Sequence, residues 1–145
     1  MFFNHKSIEL DLRIAASKGN LEQVKSILSV YGNSININSL DYEKQSALHL
    51  ACESNKLDVV ICLVEHGAKV NILGLGNSTP LHAAALFADT DIISYLLKNG
   101  ADPYLKNKDS DTPIDYAERE RQPEISDCMR GSVNFTQFLL RYQNN

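Results

Sequence analysis

The chain has 145 residues and a formal net charge of −4, the size of one domain with an acidic balance that argues against nucleic acid or an anionic membrane as its main partner. No apolar run is long enough to span a bilayer, and Met1-Phe2-Phe3-Asn4-His5-Lys6 lacks the apolar core of a cleaved secretory signal. The three cysteines, Cys52, Cys62 and Cys128, are odd in number and have neither framework nor metal-ligand spacing, so free thiols in a reducing compartment are expected.

In chain order, the first element carries Leu12-Arg13-Ile14-Ala15-Ala16, which aligns with Leu48 to Cys52 at an offset of 36. The turn-forming stretch Tyr31-Gly32-Asn33-Ser34-Ile35-Asn36 can hold the surplus residues without disturbing a helix. Next, Ser46 is placed to cap a helix from about Ala47 to Ser54, with Leu48 and Ala51 on one face. Asn55-Lys56-Leu57 turns the chain, and Asp58 is expected to cap a second helix carrying Val59, Val60, Leu63 and Val64. Gly67 ends that helix in the left-handed conformation that glycine adopts most cheaply.

The same plan returns at once. Thr79 caps, Pro80 sits at the first helical position where its missing N–H costs nothing, and Asp89-Thr90-Asp91 makes the turn. Ile92, Ile93, Leu96 and Leu97 face the core, and Gly100 ends the second helix. A further copy, Thr112-Pro113-Ile114-Asp115-Tyr116-Ala117, is degenerate. Pro123-Glu124-Ile125 looks like the start of its second helix, with Ile125 and Met129 buried. Ser126 and Arg130 fall where the other copies are apolar and Gly131 comes early, so this helix is read as short and partly exposed. After it, Phe135, Phe138, Leu139 and Tyr142 fall at i, i+3, i+4 and i+7, the pattern of an amphipathic helix over about 133–142 that would cap the array. The alternative makes 133–142 the second helix of the last copy and 122–132 an insertion.

The landmarks of the middle copies, Ser46-Ala47-Leu48-His49-Leu50-Ala51 and Thr79-Pro80-Leu81-His82-Ala83-Ala84, are 33 residues apart, as are Gly67-Ala68 and Gly100-Ala101. Such a period marks a repeat solenoid. In this period and in the string Thr79-Pro80-Leu81-His82-Ala83-Ala84 the chain resembles the ankyrin repeat family, over nearly its whole length. The implied fold is all-α: an ankyrin solenoid of about four helix-turn-helix repeats joined by β-hairpin-like loops, with a C-terminal capping helix. It forms a single domain over 1–145, with repeats at about 5–40, 41–73, 74–106 and 107–131. Small residues recur on the first helices (Ala15 and Ala16, Ala51 and Cys52, Ala84 and Ala85), so inner helices stack closely and the array curves.

The resemblance also assigns roles. His49 and His82 would tie an inner helix to an adjacent hairpin by backbone hydrogen bonds; Asp115 stands where the family has this His. Thr79, Pro80, Thr112, Pro113, Gly67 and Gly100 are structural landmarks. The positions that vary among ankyrin proteins, and carry binding, are Tyr42, Glu43, Gln45, Glu53 and Ser54, then Leu75, Gly76, Ser78, Leu86 and Phe87, then Lys108, Asp109, Asp111, Arg119 and Glu120. Leu73 and Lys106 precede two hairpins. Leu73, Leu75, Leu86 and Phe87 are not needed by the solenoid and would make an anchor pocket on the concave face. Asn71 stands where some ankyrin asparagines are hydroxylated, although Lys69 replaces the preferred acid.

No G-x-S-x-G, phosphate-binding glycine loop or H-E-x-x-H is present, and no catalytic residue, metal ligand or cofactor is expected. The expected function is non-catalytic recognition of one or more proteins through the concave hairpin and inner-helix face, by a monomer, without nucleic acid or membrane. The resemblance admits a bacterial effector acting on host proteins, or an accessory or regulatory subunit that scaffolds or inhibits a cellular enzyme. The expected location is the cytoplasm, or a host cytosol reached through a secretion system.

Overall fold

The computed structural model describes residues 4–131. It contains seven α-helices with complete bounds: α1 (His5–Lys18), α2 (Leu21–Tyr31), α3 (Ala47–Glu53), α4 (Leu57–Glu65), α5 (Pro80–Phe87), α6 (Thr90–Lys98) and α7 (Pro113–Arg119). An eighth, α8, covers 123–131. No strand occurs among the described residues. The amphipathic segment at 133–142 lies outside them.

The helices form antiparallel pairs, and the pairs stack. α1, α3, α5 and α7 make an inner row; α2, α4 and α6 run behind them, with α8 completing the outer row. The inner helices contact one another far more extensively than the outer ones. The cause is side-chain size: Ala15, Ala16, Ala51, Cys52, Ala84 and Ala85 are all fully buried where inner helices meet, and small residues let backbones approach. Closer spacing inside than outside curves the stack, concave towards the inner helices.

Three inner helices start with the same reciprocal cap. Ser46, Thr79 and Thr112 each accept from the backbone N–H of the residue three on. That residue, His49, His82 or Asp115, takes the N–H of the capping residue in return. Asp115 therefore keeps the cap, but a carboxylate lacks the second ring nitrogen that lets the histidines reach further.

The outer helices begin differently from the sequence expectation. α4 follows Lys56, not Asp58, which lies inside the first turn and accepts from the N–H of Val59 at 2.8 Å. Asp89 precedes α6 but makes no side-chain cap. Its carboxylate accepts from Asn55 Nδ2 at 3.0 Å while its own N–H donates to Asn55 Oδ1 at 3.1 Å, tying the α3–α4 turn to the α5–α6 turn. Two asparagines join successive loops in the same manner. Asn38 Oδ1 accepts from Lys69 N, and Asn71 bridges Asp102 N and Gly100 O.

The core is one continuous column. Leu12, Leu48, Leu81 and Ile114 from the inner helices meet Ile27, Leu63, Leu96 and Met129 from the outer ones. α8 holds Ile125 and Met129 in that core. Ser126 corrects the sequence expectation: it is 3 % exposed, occupying the register of the buried Val60 and Ile93. Its hydroxyl is satisfied by donating to Pro123 O at 3.0 Å, which makes a polar side chain tolerable there. Arg130 is exposed and pairs with Glu118.

Candidate partner-binding face

The concave face is built from three loops and four inner helices. Each loop closes on itself by a backbone bond from its first to its last residue: Asp41 N to Gln45 O, Gly74 N to Ser78 O and Asn107 N to Asp111 O. In the outer two of these loops the first side chain braces the turn. Asp41 Oδ1 accepts from the N–H groups of Glu43 and Gln45, and Asn107 Oδ1 from those of Asp109 and Asp111. Lys44, Asn77 and Ser110 adopt positive φ at equivalent places, so the three loops share one turn geometry there.

The buried histidines lock these loops onto the inner helices. His49 and His82 are 4 % and 0 % exposed. Each Nδ1 accepts the N–H of its capping residue, which leaves the ring proton on Nε2. Nε2 then donates across to the next loop, His49 to Ser78 O and His82 to Asp111 O, both at 3.0 Å. Burial lowers the pKa of both rings, opposed by these carbonyls, which favour the charged form. The first repeat has Arg13 in this register. Its NH1 donates to Ser39 Oγ at 2.6 Å and its buried Nε has no partner.

Between the second and fourth repeats lies a groove of about 210 Å³. Gln45, Glu53, Leu75, Ser78, Leu86 and Phe87, all candidates from the sequence, line it together. Leu75 is 65 % and Phe87 57 % exposed, large apolar side chains outside the core column. One end is acidic. Glu53 accepts from Gln45 Nε2, and burial raises its pKa, helped by the charges of Glu43 and Asp41. The other end is closed by Tyr116, which stands edge-on to His82 with centroids 5.2 Å apart. The Arg119 guanidinium lies 5.6 Å from the Tyr116 ring centre and pairs with Asp111 at 2.8 Å.

Other candidates sit apart from this groove. Leu73 is exposed but does not line it, and Lys106, Lys108 and Asp109 are exposed along the fourth repeat's loop. Lys108 N donates to Gly76 O at 2.8 Å, joining that loop to its neighbour. Tyr42 is fully exposed and borders a second cavity of about 510 Å³ beside the first repeat, with Leu10, Arg13 and Leu40. Sequence reasoning passed over Leu10, Ile14 and Leu40, which are exposed apolar residues of this first-repeat surface. The signal was available for Ile14, which shares the register of Leu50, Ala83 and Tyr116 along the inner helices.

Among the described residues no group of three His, Cys, Asp or Glu side chains could hold a metal ion. No described helix is long and apolar enough to cross a membrane.

A family profile described as ankyrin repeats in three copies matches residues 12–107, and a second, ankyrin repeats in many copies, matches residues 81–140. Palmitoyltransferase akr1 of Schizosaccharomyces pombe is 38 % identical over 63 residues, 43 % of this chain and 10 % of that protein. Alpha-latroinsectotoxin-Lt1a of Latrodectus tredecimguttatus is 39 % identical over 64 residues, 44 % of this chain and 4 % of the toxin. Ankyrin repeat and ELMO domain-containing protein D of Dictyostelium discoideum is 35 % identical over 69 residues, 48 % of this chain and 5 % of that protein. The chain thus spans a tenth or less of each of these relatives.

Proposed function

Since the chain belongs to the ankyrin repeat family, whose repeats are protein-interaction modules, we propose that it binds a partner protein, without catalysis, through the groove between its second and fourth repeats. The observation that carries this reading is the exposure of Leu75 and Phe87 beside Leu86 on the inner, concave side. Exposed aromatic and aliphatic side chains gathered in a groove are what a binding site needs at its centre, and they cost a free monomer solubility. The polar residues around them, Gln45, Glu53 and Ser78, supply a rim.

The test is the double variant Leu75→Ala with Phe87→Ala, read against a partner captured from the native cell. Binding should weaken by about 2 kcal/mol or more, the scale of interface hot spots. Ile61→Ala, on the outer helix α4 and away from the groove, is the matched control. Unchanged affinity in the folded double variant would sink the reading, as would unfolding of the double variant but not of the control.

A further inference from the structure

Resting on the concave-face reading, we propose that the segment bound in this groove carries a Lys or Arg side chain for Glu53 and, about one helix spacing away, an apolar side chain seated against Leu75, Leu86 and Phe87. Glu53 and Leu86 are 33 residues apart and so occupy the same register on α3 and α5, which pack directly against each other. Neighbouring packed helices lie about 8–10 Å apart. The acidic and apolar parts of the groove are therefore separated by that distance. One turn of polyproline-II chain, i to i+3 at about 9 Å, covers it with both side chains on one face, as do two turns of helix, i to i+7.

Among the described residues no ion pair compensates the charge at the acidic end: none involves Glu53, Glu43 or Asp41. Asp41 is occupied by loop N–H groups, and among the described residues Glu53 is hydrogen-bonded only by the neutral amide of Gln45. Half-buried Glu53 already resists ionisation because burial and the two neighbouring acids act together. A partner that covers the groove removes more water from this carboxylate, which is costly unless a cation replaces the water. At the opposite end Arg119 is already neutralised by Asp111, so that end makes no matching demand for an anion. An acidic segment would meet like charge at one end, and the exposed Lys106 and Lys108 of the fourth repeat's loop do not line the groove.

The probe is a synthetic array of 12-residue peptides in a Ser/Ala background. Each carries one Arg and one Leu or Phe at separations of one to seven, beside matched sets with Gln or Glu for Arg. With the purified full chain, the Arg set should bind about tenfold or more tightly than the Glu set, with optima near separations of three and seven. In solution, Glu53→Gln should weaken the best Arg peptide about tenfold and flatten its salt dependence. Glu43→Gln at the exposed loop tip should have a smaller effect, and circular dichroism should show both variants folded. Equal or better binding of the Glu or Gln sets, or no change with Glu53→Gln, overturns the cation. If those peptides still lose binding in the Leu75→Ala, Phe87→Ala variant, the concave-face reading survives. Binding indifferent to that double variant, or absent throughout the array, overturns both.

Discussion

Gly74 lies against the imidazole of His49: a Cβ at position 74 would stand 2.9 Å from Nε2 and 2.7 Å from the carbonyl oxygen of Lys44. The same Nε2 holds Ser78, the last residue of the loop that Gly74 opens. The second loop is thus docked by a contact that leaves no room for a side chain, and it carries Leu75 into the groove.

Gly74→Ala should therefore push the loop away from α3. A backbone oxygen cannot swing aside as a side-chain tip can, so a loss of about 1–3 kcal/mol is expected, the range for overpacking. Urea unfolding of the variant checks this, and an unchanged midpoint would contradict the docking contact.

Acidification should weaken the fold through His49 and His82. Burial lowers both pKa values below the ordinary 6.5, so the unfolded chain takes up protons that the fold refuses. Their contribution is complete above about pH 6.5 and is lost as the pH falls below it, with a slope of up to about 1.4 kcal/mol per pH unit for each histidine. Urea midpoints at pH 7.5 and 5.5 should differ, and the difference should shrink in a His49→Gln, His82→Gln variant. Equal midpoints for the wild-type chain would refute the account.

Gly100→Val tests the end of α6. Gly100 has a φ of 93°, and a Cβ there would meet nothing within 4 Å, so the whole cost is backbone strain. A β-branched residue at positive φ should lose about 1–3 kcal/mol. Gly100→Ala should lose less, and the pair of urea midpoints orders them.

Thiol reactivity should follow burial. Cys52 is fully buried and its thiol is pushed far up by desolvation; Cys62 is also buried and raised; Cys128 is partly exposed. An aromatic disulfide reagent at pH 8 should modify Cys128 first and Cys52 only on unfolding. Cys52→Ala should cost little, because Ala16 and Ala85 fill the same register in neighbouring repeats. Rapid labelling of Cys52 in the native chain would show that α3 does not pack as described.

The sequence by itself determined the repeat. A 33-residue period, hydroxyl residues at the caps of α3, α5 and α7, Pro80 and Pro113 at first helical positions and apolar residues at helical spacing are all local signals. Each copy states them again, so one copy's ambiguity is resolved by its neighbour. What only the tertiary structure decided were the relations between copies. Asp89 reads in sequence as a turn residue, and only the stack shows its carboxylate taken by Asn55, 34 residues earlier. Ser126 looks like a surface residue, but the outer row buries it and its own helix supplies the acceptor. Leu73 and Leu75 are two residues apart in one loop, yet only Leu75 lines the groove with Glu53 and Phe87. Periodicity tells which residues occupy equivalent places; stacking tells which of them touch, because contact across repeats depends on helix spacing and loop direction that no single repeat encodes.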